Sequence, residues 1–216
     1  MSAGEQRERK PRADVQRNRT ALLETAQRHF LQHGVGTSLE AVAKDAGVGP
    51  GTLYRHFPTR EALLATVLQT CSEELVARQA DIDQLGDPAE ALEQWLRAME
   101  EYFSAFNGLP EPLMAAARAQ EPDNPLTIPC HILITATEQY VRAAQLAGHV
   151  RASAQGFDLF LAACSIAWIK GNGADEESLD RLRTLIASGH RQRDEKKLDA
   201  PPPAFDTAVY SRRTYE

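Results

Sequence analysis

The stretch T-S-L-E-A-V-A-K-D-A-G-V-G-P-G-T-L-Y-R-H-F, residues 37–57, decides the fold. Leu39, Val42, Ala43 and Ala46 recur at i, i+3, i+4 and i+7, so one face of a short helix is apolar while Glu40, Lys44 and Asp45 occupy the other. Thr37 is placed to cap this helix, with Glu40 three residues on reaching back to the cap amide. Gly47 ends it, because glycine enters the left-handed conformation at little cost. Val48 plugs the corner, and Gly49-Pro50-Gly51 restarts the chain with Pro50 at a turn or first helical position. In the second helix Leu53 and Phe57 face inward and leave Thr52, Tyr54, Arg55 and His56 outward. Two short helices around a glycine corner are the layout that lays a helix in a DNA groove. Outward hydroxyls, a guanidinium and an imidazole suit phosphates and base edges.

Thr52-Leu53-Tyr54-Arg55-His56-Phe57, followed by Pro58-Thr59-Arg60-Glu61-Ala62-Leu63, resembles the recognition helix and following helix start of the TetR family of transcriptional regulators. The resemblance takes in Ala26, Phe30 and His33-Gly34 of the preceding helix and covers about residues 18–75. Pro50 and Gly51 depart from the family, which often has a polar side chain and Gly there. The resemblance implies an all-α fold: an N-terminal three-helix DNA-binding domain with its helix-turn-helix from Ser38 to Phe57, then a C-terminal helical domain for ligand binding and dimerisation. It implies a dimeric repressor, released from a pseudo-palindromic double-stranded operator by a small-molecule effector. Thr37, Ser38, Gly51, Thr52, Tyr54, Arg55, His56 and Arg60 are the DNA-binding candidates. Arg55 is the base reader among them, and Arg60 a phosphate contact. A related helical adaptor that lost DNA binding and acts through protein contacts is the competing reading.

Charge distribution agrees with this layout better than the net charge of −6 does. Residues 1–60 hold 10 Lys+Arg against 6 Asp+Glu, a net of +4, which leaves −10 for residues 61–216. The basic end is the helix-turn-helix end. Residues 1–13 read as a flexible basic arm, since Pro11 argues against continuous helix; Arg7, Arg9, Lys10 and Arg12, joined by Arg17 and Arg19, are suited to phosphates. The domain reading is then 14–58 for the DNA-binding domain, 59–192 for the ligand-binding and dimerisation domain, and 193–216, with Pro201-Pro202-Pro203, for a disordered tail.

Within the larger domain, a helix from the Thr59 cap runs toward Asp83, and Asp87-Pro88 opens the next. Its stripe of Trp95, Met99 and Phe103, with Met114 and Ile134 beyond, supplies candidates for a ligand pocket, although any helical core needs the same residues. Pro and Gly between Gly108 and Pro112, and again between Pro122 and Pro129, bracket a short Ala-rich helix, and further helices are expected from about Cys130 to Ala147, Gln155 to Lys170 and Glu176 to His190. Residues 157–169, F-D-L-F-L-A-A-C-S-I-A-W-I, are apolar nearly all round and must be covered on more than one side. Phe157, Phe160, Leu161, Cys164 and Trp168, with Leu182 and Ile186 of the last helix, are therefore candidates for a homodimer interface; a central place within one subunit is the alternative.

Other classes find little support. G-x-x-x-x-G-K-[ST], G-x-S-x-G, H-E-x-x-H and C-x-x-C are all missing from the sequence, so no enzyme chemistry is expected. Cys130 beside His131 does not form a pair, because adjacent helical residues point about 100° apart. His29 and His33 have metal-ligand spacing with no acidic partner nearby in sequence, and no metal or cofactor is expected. Cys71, Cys130 and Cys164 read as buried thiols. No apolar run approaches the roughly 18 residues of a membrane helix, and the expected location is the cytoplasm.

Overall fold

A computed structural model describes the backbone of residues 5–191 and the side chains of residues 14–191. The expected 193–216 tail lies outside the described residues. Among those described the chain forms α-helices only: α1 (Glu5–His33), α2 (Leu39–Asp45), α3 (Pro50–His56), α4 (Arg60–Ile82), α5 (Pro88–Ser104), α6 (Pro110–Ala119), α7 (Thr127–Leu146), α8 (Gly156–Gly171) and α9 (Glu176–His190). One isolated antiparallel bridge pairs Val150 with Arg191.

Local chemistry accounts for most helix ends. The Thr59 hydroxyl accepts from the Ala62 amide, Asp87 from Ala89 and Asp175 from Ser178, each satisfying an amide that the first turn leaves unpaired. Gly47, at φ +72°, ends α2 as anticipated. Three boundaries differ from expectation. The cap of α2 is Ser38, whose hydroxyl accepts from the Ala41 amide and donates to Glu40, so the capping residue is one later than Thr37. Helix α7 starts at Thr127 and not Cys130, because Pro129 falls in its first turn, where a missing N–H forfeits no helical bond. Helix α1 starts at Glu5, so the arm expected to be flexible is helical from that residue. Glu5 to Lys10 are good helix formers, and Pro11 removes one backbone bond without ending the run.

Helices α1 to α3 enclose a small core of Leu22, Ala26, Phe30, Val42, Leu53 and Phe57, all essentially without solvent contact. His29 on α1 bonds Asp45 at the end of α2 (2.9 Å), the acidic partner that lies sixteen residues away along the chain. Helix α4 continues the core into the larger unit, packing on α1, α5 and α7.

Helix α8 is the axis of that unit and contacts α5, α6, α7 and α9. Its all-round apolarity is thus satisfied mostly within one chain. Gly156 lets it start against the middle of α7: a Cβ there would sit 2.5 Å from the Glu138 backbone nitrogen. Trp95 of α5 stacks on Tyr140 of α7 and donates to the Thr137 hydroxyl (2.9 Å), while the Tyr140 hydroxyl donates to Asp83, the C-cap of α4. Phe103 meets Phe160 edge to face. A buried ion pair, Glu100 with Arg183 (2.8 Å), fastens α9 to α5.

Candidate nucleic-acid interface

Helix α3 is seven residues long and held from beneath by Leu53 and Phe57. With those two side chains inward, Gly51, Tyr54 and Arg55 are exposed and Thr52 and His56 half-buried, as the four-residue spacing requires. The ring of Phe57 carries the Arg19 guanidinium above it, 5.5 Å from the centroid. Arg17 is paired with Asp14. Two cations expected to meet phosphates are therefore engaged within the chain; the side chains of Arg7, Arg9, Lys10 and Arg12 lie outside the described residues.

Tyr54 is not a free phenol. Its hydroxyl donates to Glu40 Oε1 (3.1 Å), while Ser38 donates to Glu40 Oε2 (2.8 Å), so one exposed carboxylate links the cap of α2 to the middle of α3. The Ser38 and Tyr54 hydrogen bonds hold the Glu40 carboxyl below its ordinary pKa, and the same carboxylate raises that of Tyr54. Sequence reasoning placed Glu40 merely on a polar face. Its partner is fourteen positions away on a crossing helix, and no periodicity reports such a pair.

Arg60 is engaged within the chain. Its Nη1 donates to the carbonyls of Val35 and Thr37, both at 2.7 Å, and so braces the turn that carries Thr37 and Ser38. The guanidinium is half-buried and positions this turn instead of standing free. Arg60→Ala is expected to lower the melting temperature, since hydrogen bonds to a charged donor contribute about 1.5–3 kcal/mol. It should weaken all duplexes alike and leave the salt dependence of binding unchanged. A salt slope reduced by about one unit would instead make Arg60 a phosphate contact.

In the larger unit, Trp95, Met99 and Phe103 are fully buried against their neighbours, and Met114 is half-buried. All four belong to or pack against the core, the use that any helical core has for such residues. Ile134 borders a surface groove of about 740 Å³ between α7 and the start of α8 that Phe157 also lines. A second cavity, of about 230 Å³, lies at the seam of α1, α4 and α5.

The expected dimer residues divide in the same manner. Phe160 and Cys164 are buried within the subunit and cannot meet a partner. Phe157, Leu161, Leu182 and Ile186 are half-buried, and Trp168 is 46% exposed. Leu185 of α9 (67% exposed) and Ile128 and Ile132 of α7 (69% and 62%) are further exposed apolar side chains. Leu185 stands beside Ile186 in the stripe that the last helix offers a partner, whereas sequence reading had passed over Ile128 and Ile132, although they are four apart. Cys130 and Cys164 are buried thiols; burial pushes the Cys130 thiol up to about 12. No helix among the described residues is long and apolar enough to cross a membrane.

Residues 22–67 match the family model described as bacterial regulatory proteins, tetR family, and residues 87–192 that described as the C-terminal domain of SbtR-like transcriptional regulators. The HTH-type transcriptional regulator LmrA of Bacillus subtilis (strain 168) is 33% identical over 120 residues, 53% of this chain and 63% of LmrA. UidR of Escherichia coli (strain K12), also an HTH-type transcriptional regulator, is 35% identical over 66 residues, 30% of this chain and 34% of UidR. The chain thus matches less than two thirds of the length of either. Among solved structures, the TetR transcriptional regulator SCO0520 from Streptomyces coelicolor is 32% identical, with 81% of this chain and 98% of that one covered and a TM-score of 0.52.

Proposed function

The chain belongs to the TetR family of transcriptional regulators, and from that premise we propose that it works in the cytoplasm as a dimeric repressor of its target promoters, without catalytic activity of its own. The observation that carries this reading is the rigid presentation of α3. Leu53 and Phe57 anchor the helix, and Tyr54, Arg55 and the half-buried His56 and Thr52 are turned away from the core.

In this reading Tyr54, Thr52 and His56 contact phosphates and fix register, with Ser38, Thr37 and Gly51 at the backbone beside them, while Arg55 reads guanine through its paired donors. Arg60 serves by holding the Thr37–Ser38 turn. The apolar surface of α8 and α9, centred on Trp168, Leu185, Leu161 and Leu182, joins two copies. Two α3 helices then face successive major grooves about 34 Å apart, and the operator is a pseudo-palindrome.

Helix α4 transmits the effector signal. At one end Arg60 holds the reading-head turn, and at the other Asp83 holds Tyr140 of α7. An effector acts only if it binds one spacing of the two heads better than the other. The test is a gel shift of the full chain on its own gene's upstream DNA with bulk duplex as competitor. One pseudo-palindrome should be retained against excess competitor, and Arg55→Ala should relax that preference by about 1–3 kcal/mol per half-site. A chain with no preference for any upstream segment would refute the repressor and favour an adaptor acting through protein contacts.

A further inference from the structure

The seam cavity of about 230 Å³ is lined by residues of α1, α4 and α5, and the pocket expectation did not include it. We propose that it is a binding site for a small aromatic amine. Its size falls below the range of about 300–1,000 Å³ typical of drug-sized ligands, so the occupant is one ring with a short side chain. Leu75, Ala98 and Phe106 form an apolar floor, and the Leu31 side chain borders the cavity while remaining 53% exposed. The polar groups stand at the rim. Arg78 is paired there with Glu101, which leaves the Glu74 carboxylate without an ionic partner among the described residues. An apolar base beneath an uncompensated carboxylate selects a ring carrying an ammonium group over the corresponding acid.

The cavity wall leads directly to the junction between reading head and larger unit. Phe106 precedes Asn107, whose carbonyl accepts from the Val35 amide (2.9 Å). Gly34 is packed so closely on that carbonyl that a Cβ would lie 2.7 Å from it, and its φ of +78° suits glycine. A ring seated between Leu31 and Phe106 presses on this clasp and shifts the reading head. That last consequence rests on the operator reading above; occupancy of the cavity does not.

The probes are 2-phenylethylamine, 2-phenylethanol and 3-phenylpropanoate, each added to the full chain. Melting temperature and the rate of Cys71 alkylation by iodoacetamide report binding, since Cys71 lines the cavity while Cys130 and Cys164 are buried. The amine should raise the melting temperature and slow alkylation with a Kd on the order of 1 mM. The alcohol should do so more weakly and the acid least. Glu74 and Ala105 are both exposed, so substitutions there keep the fold. Glu74→Gln should weaken the amine about threefold, as one exposed charge pair supports, and leave the alcohol unchanged. Ala105→Leu, which fills the cavity from its edge, should abolish protection of Cys71 by all three. Equal protection by the three probes, an amine indifferent to Glu74→Gln, or protection that survives Ala105→Leu would each overturn the site. If the amine binds as described but leaves operator affinity unaltered, the coupling through the clasp is wrong; a chain that finds no operator without any probe refutes the repressor reading and leaves the site standing.

Discussion

Leu185→Glu should separate the protein into single subunits and lower affinity for the full operator by about 10²–10⁴-fold, the range over which linking two modules raises avidity. Leu185 is two-thirds exposed in the subunit, so a carboxylate there meets only water in the isolated chain and the subunit fold is retained. In a dimer joined through α8 and α9, two such charges would be desolvated in an apolar seam with no partner, which is costly enough to prevent association. Sedimentation equilibrium would measure the subunit state, and fluorescence anisotropy the affinity. A half-site duplex is the internal control: it should bind the variant and the parent alike, because α3 is untouched. A variant that stays dimeric would place the interface elsewhere, and the exposed pair Ile128 and Ile132 on α7 would be the next surface to alter.

Arg183→Met carries the second large effect, an expected loss of about 3–5 kcal/mol of folding stability. Arg183 Nε donates to Glu100 at 2.8 Å, and Nη1 reaches Asp180 (2.7 Å) and Glu176 (3.2 Å). Glu100 is 6% exposed, so without the guanidinium its charge is left buried and unpaired. Removing both groups, as Glu100→Leu with Arg183→Met, should recover most of the loss, because the penalty comes from the orphaned charge and not from the missing attraction. Denaturant unfolding of the two single variants and the double variant separates these terms.

The Arg183→Met loss should also depend on pH. Burial raises the Glu100 carboxyl above its ordinary 4.5, and Arg183 opposes that shift. In Arg183→Met the opposition is gone and the folded state holds its proton more tightly than the unfolded state. Stability is then fully present below about pH 4.5, where both states are protonated, and is lost as pH rises through the folded-state pKa. Arg183→Met should accordingly melt closer to the parent at pH 5 than at pH 8; a constant gap would mean that Glu100 does not carry the penalty.

Legibility in the sequence followed the range of the interactions involved. Gly47, the Thr59 and Asp87 caps, Pro88 and the stripe from Trp95 to Phe103 each act within a turn or two, and their consequences stand in the structure. Boundary errors arose where two local choices competed: Thr37 against Ser38 for one cap, and Pro11 and Pro129 as helix breakers where the helix accommodates them. Hidden from the sequence were the distant partners that these outward side chains find within the chain. Arg60 is taken by carbonyls more than twenty positions earlier, Arg19 by the Phe57 ring, and Tyr54 by Glu40.

The amino-acid order alone determined the helix-turn-helix, its family, the inward set Leu53 and Phe57, and the need for α8 to be covered on several sides, because helical period and capping chemistry operate between near neighbours. Only the tertiary structure decided which groups cover α8, leaving Phe160 and Cys164 inside the subunit and Trp168 and Leu185 on its surface. It also placed a cavity against α1 and α4 in the seam between reading head and larger unit. Those outcomes depend on how whole helices cross, and a crossing is set by the summed packing of residues far apart in the chain.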